Sequence, residues 1–115
     1  MQNNIGIKTY LQDISQAISE IWSFLPEKRN FYEFQNDLKT RKAVERNIEI
    51  IGEAMNRILK IVPDFPVEAS RKIVDTRNRI IHGYDSVSGD ILWLIICNYL
   101  PNLEKQINEL LETSL

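Results

Sequence analysis

The sequence predicts an all-α protein, a four- to five-helix up-and-down bundle, and three observations carry that expectation. Apolar residues recur at three- and four-residue steps along most of the chain. Only four Gly and four Pro are present, too few for the many turns of an all-β architecture. The 115 residues are 43% apolar and 26% charged, ordinary for a soluble globular protein. That length suits a single domain over 1–115, which would bury roughly two-thirds of its unfolded surface.

The first helical segment carries Ile7, Tyr10, Leu11, Ile14, Ala17, Ile18, Ile21, Trp22 and Leu25 on one stripe, and Pro26 with "EKRN" ends it. "FYEFQN" reads as a connector, with Asn36 or Asp37 available as the next N-cap. The second segment runs from about Leu38 to Val62, with Val44, Ile48, Ile51, Met55, Ile58, Leu59 and Val62 on its apolar side. Gly52 interrupts it at a cost of about 1 kcal/mol relative to Ala, which is most simply explained by another backbone passing close by. Glu45, Glu49, Glu53 and Asn56 form a polar stripe read as a solvated face.

"VPDFP" breaks this helix, and Pro66 suits the first turn of a third, shorter one with Val67, Ile73, Val74, Ile80 and Ile81 facing inward. Gly83 fits the C′ position beyond its end. The fourth segment starts near Ser88, with Asp90 complementing the dipole in its first turn. Leu100, Leu103, Ile107, Leu110 and Leu111 continue the spacing of "ILWLII", so it reads as one long helix. Pro101 should kink it by freeing the carbonyl of Cys97. Its first half is apolar nearly all round, more than one helix of a small bundle needs, and the surplus points to a subunit interface.

Composition also excludes. A lone cysteine, Cys97, rules out an intrachain disulfide and reads as a buried small hydrophobe. One His and one Cys cannot supply a conventional zinc site from one chain. "MQNNIGIKTY" is no basic and apolar leader, and Ile91 to Cys97 is too short to span a bilayer, so the expected location is cytoplasmic. A net charge of −2 gives no bulk argument for binding nucleic acid. Local basic clusters exist at Lys39, Arg41, Lys42 and Arg46, and at Arg71, Lys72, Arg77 and Arg79, with solvated faces as the default for each. Trp22 and Trp93 read as core or interface, and Phe31 and Tyr32 as loop packing rather than RNA contacts.

The chemistry-bearing stretch is "RNRIIHGYDSV", residues 77–87, which holds the only histidine. His82 falls in the last turn of the third helix, whose negative end favours the imidazolium, while Arg79 one turn back opposes it. The balance can leave His82 titrating near neutrality, as proton transfer requires; alternatively His82 only caps carbonyls ahead of Gly83. In a continuous helix Arg77 and His82 lie about 140° apart around the axis, whereas Asn78 and Arg79 share a face with His82. Metal-free RNA cleavage uses one group to take the 2′-OH proton and another to protonate the leaving 5′-oxygen. One chain offers one His; a two-fold dimer offers two, with arginines for the scissile phosphate.

Arg77, His82 and Tyr84 spell R-x4-H-x-Y, the motif of the HEPN superfamily, and the chain resembles that superfamily's HepT-like toxins. "RKAVERNIEIIGEAMNRI" is similar to their long second helix, "RNRIIHGYDSV" to their motif segment, and "DILWLIICNYLPNLEKQI" to their last helix with its internal Pro. The resemblance covers nearly the whole chain. It implies a HEPN-like bundle that forms a symmetric homodimer, pairs two motifs in one cleft and cleaves RNA without metal or other cofactor. It also implies a nucleotidyltransferase antitoxin partner that adds AMP to the motif tyrosine. Carried over, Arg77 binds and polarises phosphate, His82 moves protons, Asn78 orients His82, Arg79 supports the cleft, and Tyr84 accepts the modification. The connector "EKRNFYEFQN" has no counterpart in the matched stretches and bears on cleft shape and RNA preference.

Two other functions compete with the ribonuclease toxin. One is a non-catalytic helical binding partner of a nucleotidyltransferase, which would have been free to lose Arg77, His82 or Tyr84. The other is a purely structural dimerisation domain, which leaves the polar cluster around Gly83 unexplained.

Overall fold

A computed structural model describes the backbone of residues 2–68, 70–81 and 89–113, with side chains for 6–68, 70–80 and 89–113. The described residues are helical throughout their regular structure: α1 (Gln2–Phe24), α2 (Phe31–Asn36), α3 (Leu38–Ile61), α4 (Ser70–Ile81), α5 (Gly89–Leu94), a π-helical turn (Ile95–Tyr99) and α6 (Leu100–Thr113). The expected all-α bundle is therefore observed, with α3 at its centre.

The apolar stripes meet where periodicity places them. Leu11, Ile14, Ala17, Ile18 and Ile21 of α1 pack with Val44, Ile48, Ile51, Met55 and Ile58 of α3, and Leu92, Ile95, Ile96, Leu100, Leu103 and Ile107 close the same core. Helix α1 lies against α3 and α6, and α4 lies against α3. The first two run antiparallel, since Asn47 meets Ala17 and Glu20 while Arg57, further along α3, meets Tyr10. Asn47 is a buried polar side chain that periodicity alone does not single out. Its amide donates to the Ala17 carbonyl and to Glu20 Oε1, both at 3.1 Å, so its desolvation is offset by two bonds that tie α3 to α1.

Three local readings need correction. "FYEFQN" is a short helix rather than a connector: Asn30 caps it by accepting from the Glu33 N–H at 3.1 Å. Its Phe34 is buried, and Phe31 and Phe34 both pack on Trp93, with ring centroids 5.9 and 5.2 Å away. Tyr32, its ring 6.4 Å from that of Phe31, is 77% exposed and does not pack into a loop. Pro66 lies outside the first turn of α4, which begins at Ser70; turns that close Phe65 N–H onto Val62 and Val67 N–H onto Phe65 carry the chain across. Asp37, the second candidate cap, does start α3, accepting from the Thr40 N–H at 3.0 Å.

The last segment runs continuously, but Pro101 acts through a π turn. The Leu100 N–H bonds to the Ile95 carbonyl, five residues back, while Pro101 has no N–H to give the carbonyl of Cys97. In this register Ile95, Ile96 and Leu100 turn inward, and Cys97 is exposed rather than buried. Trp22 sits at the core edge, donating to Glu104 Oε2 at 3.0 Å beneath the Arg29 guanidinium. Among the described residues, no helix is long and apolar enough to cross a membrane.

Candidate ribonuclease site

Gly52 sets the approach of α4 to α3. A Cβ built there would lie 2.3 Å from Arg77 Cβ and 3.0 Å from the Ile73 carbonyl oxygen, so only a residue without a side chain lets α4 ride this close. The backbone expected near Gly52 is that of α4, and it carries Arg77.

With the helices this close, the Arg77 side chain runs along α3 and is only 19% exposed. Its Nη2 forms an ion pair with Glu53 Oε2, and its Nη1 donates to Asn78 Oδ1 at 2.8 Å. Its Nε is buried without a partner. Glu53 is itself gripped from the other side, its Oε1 accepting from Arg57 Nε at 2.9 Å. The Tyr10 hydroxyl, and then Glu53, favour the charged form of Arg57 and raise its pKa. Arg77, Glu53, Arg57 and Tyr10 together line an open pocket of about 220 Å³, with Ile50 and Ala54 among its apolar walls. Two guanidinium groups thus flank one carboxylate, and Arg46, Glu49 and Asp13 line the same pocket, so three cationic and three acidic side chains surround it.

The family profile described as Ribonuclease HepT-like matches residues 8–110. The chain belongs to the HepT-like ribonuclease family. Its relatives agree along their length. A Thermococcus cleftensis protein named "Probable ribonuclease HepT" is 36% identical over 90% of this chain and 94% of its own. A Methanocaldococcus jannaschii protein named "Putative RNase" is 32% identical over 92% of this chain and 88% of its own. A Caldanaerobacter subterraneus subsp. tengcongensis protein, also named "Putative RNase", is 34% identical over 91% of this chain and 94% of its own. No solved structure matches.

Within this HepT-like chain, the motif residues divide. Arg77 and Asn78 are brought together on α4, both half-buried. Arg79 is exposed. His82 and Tyr84 lie outside the described residues, as does Gly83. The residue that sequence reasoning missed is Glu53, assigned there to a solvated face. Two signals pointed to it: it adjoins the glycine of the helix crossing, and Arg57 follows one turn later. Of the basic clusters, Arg41 donates to the Gln35 carbonyl at 2.8 Å and Arg46 pairs with Glu49 at 3.1 Å, so both make local contacts.

Proposed function

We propose that this chain is a metal-independent endoribonuclease toxin of a toxin–antitoxin pair, acting as a homodimer whose two R-x4-H-x-Y motifs share one cleft. The observation that carries the reading is the Arg77 guanidinium, held half-buried by Glu53 and Asn78 at the wall of an open pocket, five residues before His82 in the sequence. Family membership supports RNA as the substrate.

In the proposed reaction one His82 imidazole takes the 2′-OH proton, and the 2′-oxygen attacks the adjacent phosphorus. The bond from phosphorus to the 5′-oxygen breaks, and the leaving oxygen takes a proton from the second copy's imidazolium. The products are a 2′,3′-cyclic phosphate and a free 5′-hydroxyl. Arg77 counters the charge that builds on the equatorial oxygens. A metal is unnecessary in this scheme because the guanidinium supplies the positive charge, and Glu53, the carboxylate beside it, already has an arginine on each oxygen.

Cleavage of RNA by the purified protein in EDTA, with cyclic phosphate termini, is the expected result. His82→Ala and Arg77→Ala should each lower it on the order of a hundredfold or more while remaining folded. Undiminished cleavage by His82→Ala would sink the assignment and promote the non-catalytic partner reading.

Control is proposed to act at Tyr84. An AMP added to its phenol by a nucleotidyltransferase antitoxin would place a phosphodiester charge and a bulky base beside Arg77 and Arg79, competing with RNA for both. Intact mass of the chain co-expressed with such an enzyme should rise by one adenylyl group, and Tyr84→Phe should escape silencing. An unchanged mass would remove this control.

A further inference from the structure

We infer that Glu53 is a positioning residue of the ribonuclease site, holding the Arg77 guanidinium in the orientation that receives phosphate, with Arg57 holding Glu53 and Tyr10 holding Arg57 in turn; this rests on the ribonuclease reading above. Glu53 stands on α3, twenty-four positions from Arg77 in sequence, so the contact is made by tertiary packing. It exists because Gly52 lets α4 approach until Arg77 Cβ and Cγ lie against the α3 backbone.

A guanidinium has five N–H donors in a rigid plane. Glu53 takes one from Nη2 and Asn78 takes one from Nη1. Those two anchors, on different nitrogens, fix both the position and the tilt of the plane. Nε is buried, so the N–H groups left over on Nη1 and Nη2 are the ones a phosphate oxygen can accept. An arginine anchored in this way gives up little rotamer entropy when substrate arrives.

A carboxylate against a phosphate-binding arginine would ordinarily oppose catalysis by neutralising it. Arg57 changes that balance. Glu53 divides its charge between Arg57 on Oε1 and Arg77 on Oε2, so Arg77 is only partly neutralised by it. Tyr10, from α1, completes the series by favouring the charged form of Arg57. Three helices, α1, α3 and α4, thus converge on the orientation of one side chain.

The test is steady-state cleavage of RNA by the full-length protein, comparing wild type, His82→Ala, Glu53→Gln and Glu53→Ala, with the folded fraction of each measured by circular dichroism at the assay temperature. Positioning predicts a kcat loss on the order of a hundredfold for Glu53→Ala, with KM changed less than about threefold. Glu53→Gln, which keeps the shape and one acceptor oxygen, should retain more activity than Glu53→Ala. If wild type cleaves in a manner abolished by His82→Ala, yet both Glu53 variants match it or fall only in proportion to their folded fraction, this inference is overturned and the ribonuclease reading stands. A folded wild type that cleaves no RNA overturns both.

Discussion

Gly52 shows how much a single residue can commit. Alanine is the better helix former by about 1 kcal/mol, and in an isolated helix Gly52→Ala would stabilise. Here the new methyl would sit 2.3 Å from Arg77 Cβ, with the Ile73 carbonyl at 3.0 Å, neither of them the free end of a flexible chain. Overpacking of this kind costs about 1–3 kcal/mol, so we expect a net loss of stability despite the gain in propensity. Cleavage should fall as well, because α4 must move away from α3 and Arg77 moves with it. Thermal melts and RNA cleavage of Gly52→Ala check this; an unchanged or raised Tm would show that the crossing has slack.

At the scale of elements, helix starts depend on charge as well as hydrogen bonding. The Thr40 hydroxyl, followed by its backbone N–H, holds the Asp37 carboxyl below its ordinary value of 3.8. Asn47 and then Gln16 do the same for Glu20, below 4.5. A carboxyl whose folded pKa is depressed contributes stability that is present above its unfolded value and lost as pH falls through the folded one. The fold should therefore lose stability on acidification below about pH 4.5, continuing below about 3.8 as Asp37 protonates. Asp37→Asn can still accept the backbone bond but cannot titrate, so its melting temperature should fall less over this range. Parallel curves for the two proteins would separate the cap from the pH dependence. Sequence showed Asp37 as a possible cap but not the helix immediately before it, because six residues are too few for a period to emerge.

Across the whole molecule, the α5 and π-turn stretch remains partly uncovered. Leu94 is 40% exposed and Cys97 is exposed, while Leu92, Ile95 and Ile96 of the same segment are buried within the described bundle. We expect this face to meet a second copy, bringing two motifs together as the two-histidine chemistry requires. Light scattering should report the mass of two chains at micromolar concentration, and Leu94→Glu should shift it toward one chain with a parallel loss of cleavage. A stable wild-type monomer would remove the shared cleft.

The sequence by itself determined the long helices, most of the residues that face inward, and the identity of the arginine and histidine proposed to do the chemistry. A 3.6-residue period and a fixed motif spacing are one-dimensional signals, and each helix carries its own. It also marked Gly52 as a place of close approach, because the missing side chain is visible as a letter. What touches Gly52, and what then becomes of Arg77 and Glu53, was decided by tertiary structure. Periodicity states which face of a helix is buried but not how far another helix is rotated or slid against it, and the pairing of Glu53 with Arg77 depends on that rotation and slide. The exposure of Cys97 has the same origin: one wide turn before Pro101 re-aims the residues ahead of it, and no count of apolar letters records a change in helical pitch.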